Sequence, residues 1–182
     1  MGINVEKRIP RKRRNKSYAG VIKFTEWKQR AVELLLEDEE FCKLIKYDTP
    51  DVLTKDNLTE DEKYDLIGSH LFMYRYNPKP VSNQGSFVTM GLSNFVPQES
   101  FRQFSDDYIM GYFYFYILVD NQVMDTDTGI RQDLILARIY EIFQESRFFG
   151  MGELKMESCI ELWQQNNNFG GYSLAFKIME VK

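Results

Sequence analysis

The sequence predicts an α+β protein, an antiparallel sheet of four or five strands packed by helices, with a basic N-terminal arm. Three observations predict it. Residues 108–119 alternate two large apolar sets at a period of two, the mark of a central strand. Residues 129–143 repeat apolar side chains at helical spacing. After Gly152 the chain reads as two strands joined by a loop rich in Asn and Gly.

Taken in order, residues 1–17 hold Lys7, Arg8, Arg11, Lys12, Arg13, Arg14 and Lys16 against Glu6, a net of +6. Pro10 and the scarcity of large apolar residues make this arm extended or disordered when free, and residues 18–182 form a single α+β domain. A first helix is expected over residues 25–37, with Thr25 as N-cap and Trp27, Ala31, Leu34 and Leu35 on one face. Residues 38–47 continue as a second helix or a bent extension, ended by Pro50. Residues 51–56 read as a loop. In residues 58–67, Thr59 with Glu62 three positions on is a capping-box signature for a short helix.

Strands follow. Residues 70–76 are rich in large and aromatic side chains and stop at Asn77-Pro-Lys-Pro80. Residues 86–95 are a second candidate, before a loop containing Pro97, and Asp106-Asp107 reads as a turn. In residues 108–119, Tyr108, Met110, Tyr112, Tyr114, Tyr116 and Leu118 point to one side. Ile109, Gly111, Phe113, Phe115, Ile117 and Val119 point to the other. Such a strand belongs in the middle of a sheet, with helices or a neighbour over one face. The next helix carries its stripe on Leu134, Ile135, Ile139, Ile142 and Phe143. Gly150-Met-Gly152 breaks the helical region, residues 153–163 form a strand, and residues 166–171 turn the chain into a final strand over residues 172–181, so that the two pair as a hairpin.

Composition narrows the class of protein. The 182 residues are 43% hydrophobic and 15% aromatic, which describes a folded chain with either a thick core or large contact surfaces. Cys42 and Cys159 are too few for a disulfide framework and read as buried free thiols in a reducing compartment. The N-terminus lacks an apolar run of the length of a signal peptide's core, and no stretch approaches the length of a membrane span, so a soluble protein is expected. The whole chain carries −4, so the arm's +6 leaves −10 on residues 18–182.

Chemistry is hard to find. His70 is the single histidine, which rules out a multi-histidine metal site, and it reads as structural or surface-exposed. There is no Gly-rich phosphate loop, since Gly150, Gly152, Gly170 and Gly171 sit at turns, and no recognisable nucleophile motif. Asp125-Thr-Asp-Thr-Gly129 clusters oxygen ligands but lacks a later bidentate glutamate, and it reads better as a helix cap than as a cation loop. No catalytic, metal-binding or cofactor-binding residue is assigned, no cofactor is expected, and an enzyme is not expected. The arm has three readings: contact with nucleic-acid phosphates, docking on an acidic neighbouring protein, or a solvated tail. The −10 body argues against a free-standing DNA-binding module. In the Asn/Gly loop, Phe169 is either a contact anchor or part of a simple hairpin turn. Trp163 before it belongs to the core edge or to a subunit contact, and Tyr172 is a further candidate subunit contact.

The order of the C-terminal elements and three local patterns within them carry a resemblance. The helix holds Arg131-Gln-Asp-Leu-Ile135, the next strand opens on Gly150-Met-Gly-Glu-Leu154, and the last strand reads Gly171-Tyr-Ser-Leu-Ala-Phe176. Asp38-Glu-Glu-Phe-Cys-Lys-Leu-Ile-Lys-Tyr-Asp-Thr-Pro50 and Asn57-Leu-Thr-Glu-Asp-Glu-Lys63 precede them. Over residues 25–182 this resembles the neck proteins of tailed bacteriophages, the tail-terminator, tail-completion and head–tail connector group. The basic segment before Ser17 departs from that pattern and leaves open which neck position the chain occupies. The resemblance implies a structural virion protein assembled in the host cytoplasm. It implies a homo-oligomeric ring that meets portal, adaptor or neighbouring neck and tail proteins around the DNA channel, with no membrane contact. A small accessory protein that binds nucleic acid through its arm is the alternative.

Overall fold

A computed structural model of the chain describes residues 18–76, 84–97, 108–163 and 168–181. The arm at residues 1–17, the Asp106-Asp107 turn and Asn166-Asn167 lie outside the described residues, as does the side chain of Trp163.

Helix α1 (Tyr18–Glu37) begins well before Thr25, which is an exposed mid-helix residue and not an N-cap. Tertiary contacts hold the added turns. Lys23 reaches Glu180 on the last strand at 3.0 Å, and the Phe24 ring packs on Phe95 at 4.6 Å. The expected face is buried through Trp27, Ala31 and Leu35, and Val32 joins it. Helix α2 (Glu39–Lys46) is separate, capped by Asp38, whose Oδ1 accepts from the Phe41 N–H at 2.7 Å. It ends ahead of Pro50, where the Tyr47 N–H bonds back to Lys43. A 3₁₀ turn, Val52–Thr54, occupies the expected loop. Helix α3 (Glu60–Asp65) has the capping box read from sequence, with Glu62 N–H on Thr59 Oγ1 and Thr59 N–H on Glu62 Oε2.

Strand β1 (Leu71–Phe72) is far shorter than the expected strand over residues 70–76. Past Phe72 the aromatic side chains cover the sheet rather than extend it: Phe72 stacks on Tyr76 with ring centroids 3.9 Å apart. β1 lies parallel to β2 (Ser86–Pro97), which makes the five-stranded sheet mixed instead of purely antiparallel. Pro97 closes that strand opposite Ile109 and is not in a loop. A bulge between Ser93 and Val96, with Asn94 at φ 59°, turns the Phe95 ring onto Gly111.

β3 (Tyr108–Asp120) is central, as its pattern predicts, and the sheet order is β1-β2-β3-β7-β6. A two-residue ribbon, β4 (Asp125–Thr126) with β5 (Gly129–Ile130), leads into α4 (Arg131–Phe143). β6 (Lys155–Trp163) and β7 (Phe169–Val181) form the expected antiparallel hairpin. β7 begins at Phe169, so Gly170 and Gly171 are strand residues and the loop is shorter than expected. At Gly171 an added Cβ would run into the Ile117 carbonyl of β3, and φ is 154°. The pairing therefore depends on the missing side chain there.

The core lies between the sheet and the helices. Phe113, Phe115, Ile117 and Val119 of β3, with Leu174, Phe176 and Ile178 of β7, meet Ile135, Ile139 and Phe143 of α4 and the buried residues of α1 and α2. The Phe115 and Phe143 rings sit 4.5 Å apart. Leu134 and Ile142 pack at its margin. Both cysteines are free thiols. Cys42 is buried, and desolvation pushes its pKa up to about 12. Cys159 is exposed, contrary to expectation, because it lies on the edge strand β6.

Candidate functional site

The helices occupy one face of the sheet; on the other, the tyrosines of β3 stand in a row. Tyr114 and Tyr116 stack with centroids 6.0 Å apart, and Tyr112 follows at 6.1 Å. Each is half-buried. The row is tied down at both ends. The Arg75 guanidinium lies 5.1 Å over the Tyr116 ring. The Tyr112 hydroxyl donates to Glu157 Oε2 at 2.9 Å, and Lys177 pairs with the same carboxylate at 2.9 Å. Lys177, then burial opposing it, then the Tyr112 bond set the Glu157 carboxyl, which stays ionised below the usual carboxylate range; Glu157 in turn raises Tyr112 and Lys177. The face continues over Met179 and Ile160, large apolar side chains that are 42% and 58% exposed.

β6 closes the sheet on this side. It is nine residues long, and its outer edge pairs with nothing described. Backbone donors and acceptors on such an edge are free to extend the sheet. A smaller cluster, Phe72, Phe87 and Phe169 with Tyr76 and Leu118, seals the opposite end of the same face.

On the helix side, three polar clasps fix the elements that carry this sheet. Arg131, the first residue of α4, is fully buried. Its Nε donates to the Val123 carbonyl at 2.6 Å, Nη1 to Leu44 at 2.9 Å and Tyr47 at 2.5 Å, and Nη2 to Thr49 at 2.9 Å. A cation thus sits on the C-terminal carbonyls of α2, where the helix dipole favours it. Burial, opposed by Asp48, lowers the Arg131 pKa from its ordinary value. Arg138 of α4 grips Asp38 through Nε and Nη2, and Glu141 accepts from its Nη1 at 2.5 Å. The Tyr172 hydroxyl donates to Asp133 at 2.8 Å, and this bond pushes the phenol up to about 12.

The sequence candidates divide accordingly. Tyr172 is half-buried and engaged with α4, so it bonds inside its own chain. Phe169 is 6% exposed, with its ring 5.9 Å from Phe87; it fills the small cluster and is not a loop-tip anchor. The side chain of Trp163 and the seven basic residues of the arm lie outside the described residues. His70 bonds the Ser86 carbonyl through Nδ1 at 2.9 Å and stacks on Phe87; among the described residues no Asp or Glu lines the concavity beside it. Asp125–Gly129 does not cap α4, whose N-cap is Ile130 with no side-chain bond. There Thr126 Oγ1 closes the β4–β5 ribbon on Gly129 instead. Among the described residues no three His, Cys, Asp or Glu side chains gather as a metal site, and no helix is long and apolar enough to cross a membrane. Sequence reasoning missed Ile160 and the β6 edge, although the strand's place at the end of a C-terminal hairpin was the signal for them.

The class these features define is an α+β sheet backed by helices on one face, with a tyrosine row on the other and, among the described residues, an unpaired outer edge. The chain belongs to the YomW family, a phage-derived family whose model matches residues 38–178, from the start of α2 into β7. No curated protein matches the chain.

Proposed function

We propose that the chain is a structural virion protein that forms an oligomeric ring in the neck of a tailed phage, joining head and portal to tail around the DNA channel. The observation that carries this reading is a row of half-buried tyrosines beside an edge strand whose outer side pairs with no described strand, in a chain of a phage-derived family. The function is assembly rather than catalysis. Adjacent copies pack the Tyr112–Tyr116 row, Met179 and Ile160 against a neighbour, and the β6 edge continues the contact. Head-to-tail repetition of one such heterologous contact closes a ring. The net −10 of residues 18–182 suits a channel wall along which DNA slides without sticking. The arm reaches a neighbouring subunit or the portal. The test is quantitative mass spectrometry of gradient-purified particles, scaling copies of this protein against the portal. A low, ring-like ratio is expected, and absence from the particles sinks the reading.

The seven basic residues of the arm favour one second reading, an accessory protein that holds nucleic acid through residues 1–17. Salt-sensitive DNA or RNA binding that disappears with the arm supports it, and no binding at low salt removes it.

A further inference from the structure

We infer that the groove between α1 and α3 is the docking site of the chain's own basic arm, residues 1–17. The groove holds about 730 Å³ and has an apolar floor of Val32, Leu36, Ile67 and Met73. Glu33, Glu37 and Glu60 stand on its walls, all exposed. The cation in it, Lys63, is buried and already held by Glu39 at 2.6 Å and Glu60 at 3.4 Å, so it does not neutralise the walls fully. Glu33 also contacts Arg30 at 2.8 Å on the exposed helix surface, where such pairs are weak and exchange readily.

Charge and apolar pattern select the occupant. Arg8-Ile9-Pro10-Arg11 sets one branched apolar side chain between cations, and Lys12, Arg13 and Arg14 extend the positive run. An apolar floor beneath carboxylate walls is the complement of that segment. Three other concavities among the described residues do not match it. One carries Lys28 and Arg75, one carries Arg147 and Lys155 against Glu153, and the one beside His70 has no charged lining. Length permits the contact. The arm joins α1 at Tyr18, and the groove starts at Gln29, about 17 Å along the helix at 1.5 Å per residue. An extended chain covers that span in about five residues at roughly 3.3 Å each, residues 13–17, which leaves the Arg8–Lys12 segment free to lie in a groove of its own or of an adjacent copy.

This inference stands apart from the neck reading, because it concerns where the arm rests and not where the protein resides. The experiment places a benzophenone amino acid at position 9 of the full-length protein, irradiates it, and maps the captured peptides by mass spectrometry. Capture on residues 29–37 or 60–73 is expected, with Met73 a favoured acceptor. The triple variant Glu33→Gln, Glu37→Gln, Glu60→Gln should lower that capture by about tenfold, the scale of three exposed ion pairs. Replacing Arg8, Arg11 and Lys12 with Ala should lower it similarly, and these positions lie outside the described core. Mixing heavy- and light-isotope protein distinguishes capture within a chain from capture across copies. Capture on the Tyr112–Tyr116 face, no capture on the protein, or capture indifferent to both variants and to high salt overturns the inference. Absence from particles with groove capture intact fails the neck reading alone, whereas presence in particles without groove capture fails this inference alone.

Discussion

Arg131 shows how a single side chain holds this molecule together. Its guanidinium spends its donors on four main-chain carbonyls from two segments distant in sequence, Val123 on one side and Leu44, Tyr47 and Thr49 on the other. Removing it leaves those acceptors buried without partners. Arg131→Met should therefore cost about 3 kcal/mol in denaturant unfolding, and Arg131→Lys should recover little of it, because an ammonium cannot reproduce the planar fork. Tyr172 offers a milder test. Its phenol is raised from an ordinary value near 10 to about 12 by the bond to Asp133, so the protonated form is the one the fold favours. That stabilisation is complete below about pH 10 and is lost as pH rises through about 12. Tyr172→Phe should cost at most about 1 kcal/mol, because the hydroxyl is half-exposed, and should flatten stability against pH in that alkaline window.

Among elements, the terminal hairpin combines a pairing that tolerates little change with an edge that tolerates much. Gly171 lies against the Ile117 carbonyl, and an added Cβ meets backbone that cannot move without parting β3 from β7. Gly171→Ala should destabilise the protein by about 2 kcal/mol or more, read as a lower thermal midpoint. Ile160 of β6 is its opposite, since 58% of it faces solvent. Ile160→Lys should shift unfolding by less than about 0.5 kcal/mol yet weaken self-association measured by analytical ultracentrifugation. Unchanged association in that variant would move the proposed ring contact away from the β6 side of the tyrosine face.

For the whole molecule, the division between arm and body governs what assembly experiments should show. No described residue that packs in the core precedes Phe24, so deleting residues 1–17 should leave circular dichroism and the unfolding midpoint essentially unchanged. Under the proposed function the same deletion should weaken docking to a neighbouring ring or portal in a pull-down, and unchanged assembly would count against the role proposed for the arm. A body of net −10 also predicts that full-length protein holds DNA weakly, with residual binding falling steeply as salt rises.

Patterns that a short segment satisfies by itself are legible in the amino-acid sequence. The Thr59–Glu62 capping box closes within one helical turn. The alternation of residues 108–119 marks both the central strand and its two faces, because side-chain direction in a strand depends only on parity. The C-terminal hairpin and the stripe of α4 are legible for the same reason. Tertiary structure decides what depends on distant partners. Phe24 and Lys23 carry α1 upstream past Thr25 by meeting Phe95 and Glu180, and the aromatics after Phe72 fold over the sheet instead of pairing in it. Phe169 is buried because Phe72 and Phe87 arrive from elsewhere in the chain, while Cys159 is exposed because nothing described covers the outer edge of β6. The acidic groove and the tyrosine face are likewise products of tertiary packing, formed where helices and strands far apart in sequence come to share one surface. Local propensity sets the elements, and only the packing of residues far apart in the chain decides which of their faces remain for a partner.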